Sequence, residues 1–130
     1  MPELVCSDVT RSLAFYVDLL GFSILYQRHE ERFAYLERDG VEIMLEQPTG
    51  RSFVAAPLEQ PYGRGMNLAI EVANVDSLHD AVGSRVPLYL EMEETWYRRD
   101  DVLLGNRQFI VQDPDGYLLR FFQDIGTRPV

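Results

Sequence analysis

Cysteine occurs once in this chain of 130 residues, at Cys6. A lone cysteine excludes an internal disulfide and suits a reducing compartment, so the expected location is cytoplasmic. No apolar run approaches the roughly 20 residues needed to cross a bilayer, and no membrane partner is expected. The first residues, MPELVCSDVTRS, lack the basic start and apolar core of a secretion signal. No G-x-S-x-G elbow, phosphate-binding glycine loop or nucleotide fingerprint occurs; YGRGMN has neither the spacing nor the following helix. Histidine is limited to His29, near a hairpin tip, and His79, mid-helix, and nothing places them together; both are expected at the surface. Basic residues are also scarce. Twelve Lys and Arg stand against 21 Asp and Glu, a net charge of −9. Such a field repels phosphate backbones, which excludes nucleic acid, and attracts cations. Acidity that serves solubility and acidity that serves a cationic ligand both remain open.

The composition that remains is that of an ordinary globular protein, 46% hydrophobic and 12% aromatic. The length suits one domain able to bury about two-thirds of its unfolded surface.

Along the chain, TRSLAFYVDLLGF carries an N-cap candidate at Thr10 or Ser12, helical spacing at Leu13, Tyr16, Val17 and Leu20, and a C-terminal stop at Gly21. Three strands follow, FSILYQRH, RFAYLER and VEIMLEQ, the last two joined by Asp39-Gly40, a strong hairpin signal. Residues 48–65 read as a linker. MNLAIEVANVD opens a further strand, VDSLHDAVGS a short helix, and VPLYLEMEETWYRR a long strand. NRQFIVQ and YLLRFF complete the set. RRDDVLLGN is expected to be a loop.

Laid side by side, these elements are two copies of strand–helix–three strands. LVCSDVTRSLAFY corresponds to AIEVANVDSLHDAV, and RFAYLERDGVEIMLE to RQFIVQDPDGYLLRFF. The expected architecture is α+β: paired βαβββ modules forming curved mixed sheets around a cleft, with the helices outside. A single domain over 1–130 then comprises a first module at 1–47, the linker at 48–65 and a second module at 66–123.

The βαβββ repeat, SLAFYVDLLGF after the SDV turn, and VQDPDGYLLRFF near the end make the chain resemble the glyoxalase/bleomycin-resistance/dioxygenase, or vicinal-oxygen-chelate, superfamily, over nearly its whole length. The resemblance implies that the enzymatic members hold a divalent metal with two side chains per repeat. Carried over, those positions fall on Met1, Met44, Asn67 and Arg120. Thioethers, an amide and a guanidinium are poor donors for a hard or borderline cation, so no metal and no other cofactor is expected. Arg120 stands where the enzymes place a metal-binding Glu. It is expected to pair with an acid such as Glu42, Glu46 or Glu71.

The resemblance is strongest to the bleomycin-resistance branch, whose members bind and do not turn over. It implies a homodimer, of a kind that can exchange its first strand, that sequesters a cationic aromatic antibiotic in a groove. The alternative is a metal-free lyase or isomerase acting on a small aromatic or anionic substrate, with Arg120 polarising a substrate oxygen. The resemblance implies that Met44, Asn67 and Arg120 face the cleft; strand alternation from there adds Phe33, Tyr35 and Glu46 in the first module and Phe122 in the second. Trp96 and Tyr97, ahead of the expected RRDDVLLGN loop, complete the candidate ligand-binding set.

Overall fold

The computed structural model describes every residue from Met1 to Val130. The fold is α+β, with eight strands in two four-stranded mixed sheets and two short α-helices. The chain forms two compact units, residues 1–62 with 113–116, and residues 63–112 with 117–130.

The first unit contains β1 (Glu3–Val5), α1 (Val9–Leu13), β2 (Ser23–Arg28), β3 (Phe33–Arg38) and β4 (Val41–Glu46). Its sheet runs β1-β4-β3-β2, with β1 parallel to β4 and the other pairs antiparallel. The N-cap of α1 is Asp8, two residues before Thr10 and four before Ser12. Its carboxylate accepts from the Thr10 and Arg11 amides at 3.0 and 3.2 Å. Asp caps as well as Ser does, and Ser12 is instead fully buried. The helix widens into a π-helical segment, Ala14–Leu19, and stops where Gly21 takes φ +80°. Leu4, Ala34, Leu36, Ile43 and Leu45 share one sheet face by register and are buried with Tyr16, Leu20 and Phe22. Arg38 pairs with Val41 on that same face, where its Nε donates to the Leu20 carbonyl.

The second unit repeats this order: β5 (Asn67–Glu71), α2 (Val75–Gly83), β6 (Leu90–Arg99), β7 (Val102–Gln112) and β8 (Leu118–Pro129), arranged β5-β8-β7-β6. Asn74 caps α2 by accepting from the Ser77 amide. Val75, Leu78 and Val82 of the helix are buried, as are Phe109, Val111, Leu119 and Phe121 of the sheet. Each such side chain contributes about 1.5–3 kcal/mol by leaving water. RRDDVLLGN is not a loop. Arg98 and Arg99 end β6, Val102 starts β7, and Asp100-Asp101 turns the chain between them with Asp100 at φ +57°. Asp tolerates that left-handed geometry, and the Val-Leu-Leu run that follows favours extended backbone. Strand β8 likewise runs past YLLRFF to Pro129, pairing with β7 through a bulge at Gly105 and Asn106.

The repeat is visible in the registers. Glu3 lies opposite Met44 in the first sheet, and Ala69 opposite Arg120 in the second. The offsets are 69 − 3 = 66 and 120 − 44 = 76, which makes Met44 and Arg120 structural counterparts.

Candidate functional site

Each sheet has a face turned away from its helix, and these open faces carry most of the candidate residues. In the first unit Phe33 lies opposite Glu46, and Tyr35 opposite Met44. Residues directly opposite one another share a face, so all four stand together. Glu3 joins them beside Met44, Tyr26 beside Tyr35, and Arg28 beside Phe33. Tyr26 stacks on Tyr35 with centroids 5.2 Å apart. The Arg28 guanidinium lies 4.0 Å above the Phe33 ring while its Nε donates to Glu31 at 2.6 Å. The Tyr35 hydroxyl donates to Glu42 at 2.8 Å, which holds the phenol proton more tightly than usual.

A depression of about 500 Å³ opens on this face, lined by Glu3, Arg28, Glu31, Phe33, Glu46 and Phe53 among others. Phe53 is 76% exposed, with the Arg51 guanidinium 4.9 Å from its ring. Glu31 is neutralised by Arg28, whereas Glu3 and Glu46 face one another. Partial burial and then the neighbouring Glu3 and Glu31 carboxylates push the Glu46 carboxyl above its ordinary value, against the opposing influence of Arg28. Two carboxylates beside an aromatic floor can take a cation, because charge attraction and the ring face act on the same group.

In the second unit Asn67, Arg120 and Phe122 share the open face, with Gln108 opposite Phe122. Tyr97 joins them from β6, since its hydroxyl accepts from Gln108 Nε2 at 2.9 Å. Arg120 Nε donates to Asn67 Oδ1 at 3.1 Å, and Nη1 to Gln108 Oε1 at 3.4 Å. Neutral amides thus take the place of the carboxylate partner expected for Arg120. The positions that resemble a metal-ligand pair in this repeat are spent on each other, Asn67 Oδ1 being occupied by Arg120. Their counterparts in the first unit are Met1, 66% exposed, and Met44. Nowhere do three or more His, Cys, Asp or Glu side chains assemble in a way that could hold a metal ion. This donor set does not fit a divalent cation.

Trp96 departs from the expected set. It lies opposite Gly105, on the helix-side face with Arg107, while Tyr97 points the other way, because successive strand residues alternate. Arg128 covers its ring at 4.1 Å. His79 is also less exposed than expected. Its Nε2 and Nδ1 lie 2.6 and 3.1 Å from Glu91 and Asp80, and its ring meets Phe109 edge-on.

Sequence reasoning missed Arg28, Tyr26, Glu3 and Gln108. The first two were hidden by a register shift between Ile24 and Tyr26, which breaks simple alternation. Glu3 sits in a strand of three residues, too short to show a pattern. Gln108 could have been found by counting back from Phe122, but the turn between Gln112 and Leu118 obscures parity.

The chain is similar over 137 aligned residues to a bleomycin resistance protein from Geobacillus stearothermophilus, 28% identical, spanning 98% of this chain and 97% of the relative. A bleomycin resistance protein from Staphylococcus aureus matches equally. A solved protein of unknown function from Agrobacterium tumefaciens str. C58 superposes with a TM-score of 0.74 at 26% identity, covering 94% of this chain and 90% of that one. A glyoxalase/bleomycin resistance protein/dioxygenase from Alicyclobacillus acidocaldarius shares the fold, with a TM-score of 0.68 at 17% identity over 97% and 91% of the two chains. The family model for these proteins matches residues 2–121, and on that match the chain belongs to the glyoxalase/bleomycin resistance protein/dioxygenase superfamily.

Proposed function

We propose that this protein is a metal-independent small-molecule-binding protein of the bleomycin-resistance type, sequestering a cationic, aromatic antibiotic without turnover. The observation that carries the reading is the depression on the first open face. There Glu3 and Glu46 stand beside Phe33 with no arginine hydrogen-bonded to either. A flat cationic group would lie against the exposed ring of Phe53 and neutralise the two carboxylates, the Phe33 ring being already covered by Arg28. Tyr35 and Met44 extend the same apolar surface. The net charge of −9 would raise the encounter rate for such a ligand. The relatives named bleomycin resistance protein support this class of ligand.

The protein acts as a homodimer in this reading, its grooves completed by a second copy that exchanges its first strand, and it works in the cytoplasm. Strand β1 has only three residues and leaves an edge to cover.

The test is calorimetric titration of metal-free bleomycin at low and raised salt, with Glu46→Gln alongside. Saturation near one ligand per chain, weakened by salt and by Glu46→Gln, supports the reading. Absence of binding up to about 100 μM, a free energy near −5.5 kcal/mol, rejects it. Sedimentation giving a 15.0 kDa species at micromolar concentration would reject the dimer.

A further inference from the structure

The structure assigns a second recognition function to the open face of the second sheet: we infer that Arg120, with Tyr97 and Asn67, forms a receptor for a carboxylate carried on a small apolar or aromatic body. This inference concerns the second sheet alone and does not depend on the bleomycin reading.

It follows from the directions of the hydrogen bonds. Four side chains from all four strands make one row, Asn67 on β5, Arg120 on β8, Gln108 on β7 and Tyr97 on β6. A guanidinium can only donate, so the groups it meets on Asn67 and Gln108 are carbonyl oxygens. With its oxygen turned to Arg120, Gln108 presents its NH2 to Tyr97, and the phenol oxygen accepts. Gln108 is 3% exposed, so this arrangement is held in place by burial.

Every link therefore occupies one lone pair of an acceptor. The Asn67 carbonyl, the Gln108 carbonyl and the Tyr97 oxygen are each engaged by a donor of the row itself. The unused hydrogens are the larger share of what the row still offers: both on Arg120 Nη2 and one on Nη1, the Tyr97 hydroxyl proton, and the Asn67 amide hydrogens. A surface that offers donors selects a group that only accepts. The full positive charge of Arg120, paired with no carboxylate, selects an anion among such groups. Unused hydrogens on Nη1 and Nη2 suit the two oxygens of a carboxylate.

The flanks specify the rest of the ligand. Arg120 lies between Ala69 and Ile110 across the strands, with Leu118 and Phe122 along its own. These apolar side chains would cover a ring or short chain and lower the local dielectric, which strengthens the ion pair. Glu93 points to this face but accepts from Thr95 at 2.9 Å, and Glu71 is exposed opposite Phe122. Both carboxylates would disfavour a multiply charged anion, so a monocarboxylate is the fitting class.

Benzoate and benzamidine are near-isosteric planar probes of opposite charge, and they test this directly. Each is titrated into the wild-type protein, Arg120→Met and Tyr97→Phe at constant ionic strength, following the Arg120 Nε–H and backbone amide resonances of β5–β8. The expected result is saturable benzoate shifts centred on Arg120, absent with benzamidine. Binding should weaken by at least about tenfold in Arg120→Met and about threefold in Tyr97→Phe, a charged contact being the stronger. Tyr97→Phe keeps the ring and leaves Arg120 in place, so it remains informative should Arg120→Met prove unstable. The inference is overturned if benzamidine produces the same shifts, if both variants bind benzoate like the wild type, or if no shift occurs at about 50 mM benzoate, well above the millimolar range expected of a fragment this small. The outcome is independent of bleomycin titration, whose target is the Glu3–Glu46 face.

Discussion

Ser7 donates both its backbone amide and its hydroxyl to the carboxylate of Asp115, 108 positions later in the chain. Gln60 and Arg11 donate to the same carboxylate, which is wholly buried. Burial alone would push this carboxyl up. The Ser7 hydroxyl and amide and the Gln60 amide outweigh it and hold Asp115 below the usual carboxylate value.

Asp115→Asn should therefore cost about 2–4 kcal/mol, since it removes a buried charge and opposes one amide to another. With a depressed carboxyl, the stabilisation is present above the unfolded value of 3.8 and is lost as pH falls through the lower folded value. Denaturant melts of wild type and variant should converge at low pH. A variant as stable as wild type at neutral pH would refute the role given to Asp115.

Gly105→Ala should displace Trp96. A methyl at that position would lie 2.6 Å from the indole ring and 2.8 Å from Ile125. Overpacking of this kind costs about 1–3 kcal/mol. Because Trp96 is the only tryptophan, its emission reports the shift alone; unchanged emission and unchanged melting would show that the ring has room to move.

His79 is predicted to be protonated in the folded protein above its ordinary value. The Glu91 hydrogen bond raises it most, burial opposes that, and Asp80 adds a further rise. Both ring nitrogens face carboxylate oxygens, so both must donate. Stability from this clamp is fully present below the unfolded value of 6.5 and is lost as pH rises through the raised folded value. His79→Gln should flatten the dependence of Tm on pH across that window. A His79 titration at or below 6.5 by NMR would contradict the clamp.

Glu46→Gln should raise Tm at neutral pH while weakening any cation bound beside Phe33. A raised carboxyl binds its proton better folded than unfolded, so stability declines as pH rises from 4.5 through the raised value. Equal Tm values for the two proteins at neutral pH would argue against the crowding of Glu46 by Glu3 and Glu31.

Much of the fold was legible because turn chemistry and alternation agree. Asp39-Gly40 implies that Arg38 faces Val41, and that parity carries Phe33, Tyr35, Met44 and Glu46 to one side of the sheet. The repeat showed for a similar reason, two Asp-Gly turns followed by like strands. Other features were hidden where one local rule competes with another. Asp8, Thr10 and Ser12 are all good caps, and only the packed chain decides among them. Asp100-Asp101 looked like an acidic loop, although its aspartates make a tight turn between long strands. Arg120 invited a search for acids, since its amide partners are remote in sequence and carry no charge to suggest them.

The turn at residues 113–116 counts with the first compact unit although β7 and β8 on either side of it count with the second. Its Asp115 receives Ser7, Arg11 and Gln60, and its Asp113 receives the Tyr16 hydroxyl at 2.8 Å. No single cut of the backbone therefore yields two self-sufficient fragments. A piece ending at Tyr62 would lack the Asp113 and Asp115 carboxylates to which Tyr16 and Ser7 donate, so the duplication visible in the strands no longer corresponds to two separable proteins.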